Sequence, residues 1–238
     1  MSDRLKQKQV ILTQGFIGSD DAGTTTTLGK EGSDFTGAIL ASTLDARSLT
    51  IWKDVPGIMN ADPKLTKQAI KLDYIPYQTM AKMAFYGAKV IHPNTIQPLA
   101  ALGIPLYVKP FHQLHERGTE ITNGLTQVKH PIYILQKNQG LVQLIVDDLT
   151  FLDEAHLAEV FQQLADKNIR ANMIEKSACT LSICLDTDNY NLNAWLSIQA
   201  KKFRITYYPQ VSLLTVIHQV NKLPKRGLPQ QKLSLIHI

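Results

Sequence analysis

Residues 15–34, GFIGSDDAGTTTTLGKEGSD, hold the groups best suited to chemistry. Two glycine-rich turns and threonines 24–27 precede an apolar, helix-like segment. Glycines let backbone N–H groups approach a ligand closely. A helix N-terminus then adds unpaired donors and a partial positive charge. That combination suits an anion, phosphate or carboxylate. The P-loop pattern does not fit, because five residues separate Gly23 from Gly29 and Lys30 is followed by Glu31. Read locally, Ser33 and Asp34 are helix-capping residues with a favourable dipole, worth ~1 kcal/mol.

The elements that must position this loop follow from patterning. Residues 9–13 (QVILT) read as a strand entering the loop, and Ser33 as the N-cap of a helix over 34–44 with Ile39, Leu40 and Leu44 on one face. A strand over 49–53 ends at the Asp54-Val-Pro-Gly57 turn. Helices follow over 78–86 and 93–102, the second stopped by Gly103, and a strand over 106–109. Alternating strands and helices predict an α/β layer with parallel pairing.

From Pro131 the rhythm changes. Strands are expected over 132–136 and 141–147, then an amphipathic helix over 152–166 through Leu157, Val160, Phe161 and Leu164. Strands over 171–175 and 180–185, a helix over 191–201 and strands over 204–208 and 212–218 complete a ferredoxin-like unit.

A chain of 238 residues can bury one good core and a smaller one. No apolar run reaches the ~20 residues of a membrane span, and MSDRLKQKQ is no signal peptide, so a cytoplasmic location is expected. The net charge of +5 includes Lys222, Lys225, Arg226 and Lys232 in the acid-free segment 219–238; +5 less those four leaves +1 for the rest. No basic face for nucleic acid emerges. Cys179 and Cys184, five residues along one strand, would lie ~16 Å apart, beyond the ~7 Å a disulfide allows.

Two further blocks, IWKDVPGIMNADP (51–63) and FYGAKVIHP (85–93), join the glycine loop in an order that resembles the aspartokinase family. The resemblance runs from about residue 10 to 119 and, more weakly, to about 218. It implies part of an amino acid kinase (carbamate kinase-like) fold, the nucleotide-side portion, over 1–125. It also implies an ACT-like regulatory domain over 126–218 and a patternless tail over 219–238. The implied activity is transfer of the ATP γ-phosphoryl group, with Mg2+, to the β-carboxylate of L-aspartate. That reaction opens lysine, threonine and methionine biosynthesis.

By the same resemblance, Lys30 takes the place of an arginine that grips a substrate carboxylate, and loses its bidentate fork. Ser33 joins it in substrate binding. Asp34 matches a catalytic-site aspartate, which orients the substrate ammonium or a catalytic lysine. Lys53 and Asp54 fall where the family holds base and ribose, Met59 near the adenine, and Lys64 and Lys89 at the phosphates. Asn172 and Ser177 fall at effector-lining positions for lysine or threonine, in a domain that pairs between subunits of a homodimer. Glu31 replaces a family glycine and reads as a solvated loop side chain. His92 reads as structural, and His112 and His115 lack partners in any metal motif, so no protein metal site is expected.

The chain also departs from the family. The opening Lys-Phe-Gly-Gly-Thr turn has no match here, and the glutamates usual in the segment 76–83 are missing. The resemblance therefore implies a chain that starts within the kinase domain and is inactive alone. A non-catalytic amino-acid-binding module is the alternative reading.

Overall fold

The computed structural model describes residues 7, 9–124, 128–146, 151–218 and 233–237. Chain contacts divide it into two units at Ile134/Leu135, whereas the family resemblance implies a boundary at 125/126.

The first unit opens with a hairpin. Strands β1 (Ile17–Ser19) and β2 (Thr25–Thr27) pair antiparallel, Gly18 opposite Thr26. Helix α1 (Gly32–Thr43) follows. The expected strand over 9–13 does not form: Val10 and Leu12 are 98% and 97% exposed, with no neighbouring strand among the described residues to complete a ladder. Its apolar alternation is real, but a strand exists only by pairing.

A four-stranded sheet of order β3-β5-β6-β4 carries this unit: β3 (Leu49–Lys53), β4 (Tyr74–Pro76), β5 (Leu106–Pro110) and β6 (Thr119–Thr122). β3 pairs parallel with β5, Ile51 opposite Val108, and β4 pairs parallel with β6. β5 and β6 run antiparallel, so the sheet is mixed. Its buried face presents Ile51, Ile75, Leu106, Val108 and Ile121. Helices α2 (Tyr77–Phe85) and α3 (Pro93–Leu102) complete the unit. α3 begins as its sequence dictates: Pro93 needs no donor, and His92 Nδ1 accepts from Asn94 N at 3.3 Å. It ends at Gly103 in the left-handed conformation (φ 67°). His92 is thus the structural residue the sequence suggests.

The second unit is a sheet of order β11-β10-β7-β9-β8 with two helices. Its elements are β7 (Ile132–Ile145), α4 (Glu154–Asp166), β8 (Ala171–Lys176), β9 (Thr180–Asp186), α5 (Leu192–Gln199), β10 (Arg204–Ile217) and β11 (Leu233–His237). The inner order β10-β7-β9-β8 is that of a ferredoxin-like unit. Val160, Leu164 and Trp195 of the helices bury with Val142, Leu144, Leu181, Ile183 and Leu185 of the sheet.

Two expected pairs of short strands are single long strands. β7 joins 132–136 to 141–147, and β10 joins 204–208 to 212–218, though the segment 147–150 lies outside the described residues. Each contains one non-glycine residue with positive φ, Asn138 (57°) and Gln210 (59°). A local reversal of this kind bends a strand without ending it, which sequence reads as a turn. Of the tail 219–238, residues 233–237 form β11, parallel to β10 with Leu214 opposite Leu235; 219–232 and 238 lie outside the described residues. Both cysteines are free, Cys184 buried and Cys179 half-buried, as strand spacing requires.

Candidate active site at the glycine loop

The loop is fastened to α1 by a few short-range bonds. Asp20 Oδ1 accepts from Ala22 N (3.0 Å) and Thr24 N (2.8 Å), closing the β1–β2 turn, with Gly23 at φ 78°. Phe16 N donates to Thr36 Oγ1 at 3.0 Å, and that hydroxyl donates to Gly32 O at 3.0 Å. Glycine is required at 32, where a Cβ would stand 2.8 Å from the Phe16 ring and 2.9 Å from Leu28 Cβ. At Gly23 and Gly29 the space beside the backbone is open.

Ser33 is not the N-cap. Glu31 holds that place in a left-handed conformation (φ 57°, ψ 28°), with no side-chain cap bond, and the helix starts two residues earlier than capping chemistry suggests. Ser33 sits exposed in the first turn. Glu31 is half-buried: its Oε2 is enclosed and has no hydrogen-bond partner among the described residues.

Asp34, in the first turn of α1, and Lys53, last residue of β3, come together: Lys53 Nζ lies 2.8 Å from Asp34 Oδ2. The side chains are 20% and 14% exposed, the most enclosed ion pair among the described residues. β3 is anchored beside them by Phe111 N donating to Lys53 O at 2.7 Å.

Of the remaining expected nucleotide residues, Asp54, Met59 and Lys64 lie on the loop after β3. Asp54 is exposed and Met59 half-buried, bridged antiparallel to Lys71. Lys64 is exposed, its N–H donating to Asp62 Oδ1 at 2.8 Å. Lys89 is exposed between α2 and α3, and Lys30 is exposed after Gly29. None of these five side chains is hydrogen-bonded or ion-paired to Asp34 or Lys53.

Two residues without any sequence signal hold this loop in shape. Buried Thr119 accepts from Ile58 N at 2.8 Å and donates to Leu72 O at 2.5 Å. Buried Asn60 accepts from Ile70 N at 2.7 Å and donates to Pro131 O at 3.0 Å. Gly57, in the turn that sequence marks, has a hypothetical Cβ 2.5 Å from Thr119 Oγ1.

In the second unit, Asn172 Nδ2 donates to Gln139 Oε1 (2.8 Å) and Asp186 Oδ1 (3.0 Å), and Gln139 Nε2 donates to Asp186 Oδ1 at 2.6 Å. Gln139 is 2% exposed. Ser177 is exposed in the β8–β9 turn, its hydroxyl donating to Thr180 O at 3.3 Å. Among the described residues, no group of three or more His, Cys, Asp or Glu is assembled for a metal, and no helix is long and apolar enough to cross a membrane.

A mixed sheet with a glycine loop opening onto a helix, and a lysine–aspartate pair at the loop's end, forms a corner suited to anions. Residues 1–110 of the chain match the model of the amino acid kinase family. Its relatives there are aspartokinases, which bears out the resemblance read from the three sequence blocks. The chain is 40% identical over 182 residues to lysine-sensitive aspartokinase 3 of Escherichia coli, covering 75% of this chain and 40% of that protein. It is 28% identical over 186 residues to chloroplastic aspartokinase 1 of Arabidopsis thaliana, 77% of this chain and 33% of that one. The solved structure of Escherichia coli aspartokinase III with aspartate and ADP superposes with a TM-score of 0.71 at 35% identity, over 87% of this chain and 48% of that one. The Clostridium acetobutylicum aspartate kinase structure shares the fold, at a TM-score of 0.73 and 21% identity, over 84% of this chain and 48% of that one. The chain thus spans about half the length of these structures and 33–40% of the two curated relatives.

Proposed function

We propose that the chain forms part of an aspartate kinase, which transfers the γ-phosphoryl group of ATP to the β-carboxylate of L-aspartate. The observation that carries this reading is the enclosed Asp34–Lys53 pair at the end of the glycine loop, in a fold shared with a relative solved with aspartate and ADP. Two anions must meet in this reaction, so the protein's task is positioning and charge neutralisation. Lys30 and Ser33 take the acceptor, Lys30 on a carboxylate. Asp54 and Met59 take ribose and adenine, and Lys64 and Lys89 the phosphates. Lys53, which orders Asp34 at 2.8 Å, stands with Asp54 at the base and ribose. Magnesium would arrive with ATP and supply positive charge against the phosphates that Lys64 and Lys89 would also contact. The second unit is an ACT-type regulatory domain that senses lysine or threonine and pairs two chains into a homodimer, with Asn172 and Ser177 at the effector position. The protein works in the cytoplasm.

The test is calorimetric titration with MgADP, followed by trapping of acyl phosphate with hydroxylamine in the presence of MgATP and L-aspartate. Saturable nucleotide binding supports the kinase reading. Binding of lysine or threonine without any binding of nucleotide replaces it with the regulatory-module reading.

A further inference from the structure

We infer that Glu31 is the residue that receives the ammonium group of the acceptor, and so selects an amino acid over a plain dicarboxylate. This rests on the kinase reading above and deepens it.

Three observations about Glu31 converge. Its backbone is left-handed, a conformation that is unfavourable for a residue with a Cβ, at a position where glycine would carry no strain. Strain held at one residue beside a site calls for a reason at that site. Next, Glu31 Oε2 is enclosed, with no donor among the described residues. A buried carboxylate oxygen without a partner is costly, and it marks a place where a donor from outside the chain belongs. Finally, the neighbouring acid is taken. Asp34, one helical turn on, already holds the Lys53 ammonium at 2.8 Å.

Charge matching then assigns the groups of the substrate. L-Aspartate brings two carboxylates and one ammonium. Lys30 stands beside Glu31 for a carboxylate, and Asp34 is ion-paired with Lys53. Of the two acids at the start of α1, Glu31 is the one with no cation beside it among the described residues. Its negative charge would repel a bare dicarboxylate and is offset only when the ligand carries its own ammonium. A side chain that is strained and unpaired in the free protein gains its partner when such a ligand binds.

The experiment compares L-aspartate with succinate, which has the same two carboxylates and no ammonium, as ligands of the full chain in the presence of MgADP. Wild type is expected to prefer aspartate by about tenfold or more, the scale of one charged hydrogen bond. Glu31→Gln should bring the two ligands to within about twofold. Glu31→Gly should do the same while raising Tm, because it also relieves the left-handed residue; this keeps the loss of selectivity separate from any loss of fold. A variant that retains the full preference for aspartate overturns the role of Glu31 and leaves the kinase reading standing. Wild type that binds neither ligand overturns the kinase reading and this assignment together.

Discussion

Lys53, at the end of β3, and Asp34, in the first turn of α1, meet at 2.8 Å with both side chains largely enclosed. The contact ties the sheet to the helix that follows the glycine loop. Removing either partner strands a charge in a half-buried place. Lys53→Met and Asp34→Asn should each lower stability by about 1–3 kcal/mol, with a coupling of about 1 kcal/mol or more in the double mutant. Urea unfolding of the four proteins measures it, and strictly additive losses would show that the pair carries no coupling.

Thr119 organises the loop that follows β3 from beneath. Its hydroxyl serves Ile58 N and Leu72 O at once, with the side chain fully buried. Thr119→Val keeps the shape and strands both backbone groups, so a loss of about 1–3 kcal/mol is expected, whereas Thr119→Ser should lose much less. Equal losses in the two variants would point to the methyl group instead of the hydroxyl.

Lys30 is exposed beside the open space at Gly29. Arginine there would restore a planar fork for a carboxylate. Lys30→Arg should therefore tighten L-aspartate binding by about threefold or more. An unchanged Kd would remove Lys30 from the acceptor site.

Alkaline stability carries the mark of Cys184. Burial first, and the charge of Asp186 second, push its thiol up to about 11 from an ordinary value of 9.0. Below pH 9 the thiol is protonated in both states and makes no difference. Between about 9 and 11 the unfolded chain releases the proton while the folded chain keeps it, so stability falls as pH rises. Buried Tyr77, whose phenol donates to Ile104 O at 2.6 Å and is also pushed up by burial, adds to the fall at higher pH. Cys184→Ala should lose less stability than wild type between pH 8 and 10.5. Parallel pH profiles of the urea midpoint would contradict the role of the thiol.

Much of the frame was legible in the residues. β3 came from its short apolar run before Asp54, and α3 from Pro93 and Gly103, both with correct bounds. These signals are local, and local signals survive folding. The segment 9–13 had the alternation of a strand but no neighbour, and Ser33 lost the cap to a left-handed Glu31 that no rule of capping favours. The breaks read at 137–140 and 209–211 proved to be bends at Asn138 and Gln210, because hydrogen bonds on either side keep the ladder running. For the site, the motifs nominated Asp34 and Lys53 separately. That the two touch depends on where β3 ends relative to α1, which is tertiary information. Thr119 and Asn60 carried no signal, since a buried hydroxyl or amide reads in sequence like any polar residue.

Titration of the chain with MgADP, with L-lysine and L-threonine titrated in parallel, tests the central claim most directly. The kinase reading expects saturable MgADP binding that weakens in Lys64→Ala and Lys89→Ala, while both variants keep the wild-type Tm. Binding of an amino-acid effector with no binding of MgADP would contradict it, and would leave a regulatory module in a kinase fold.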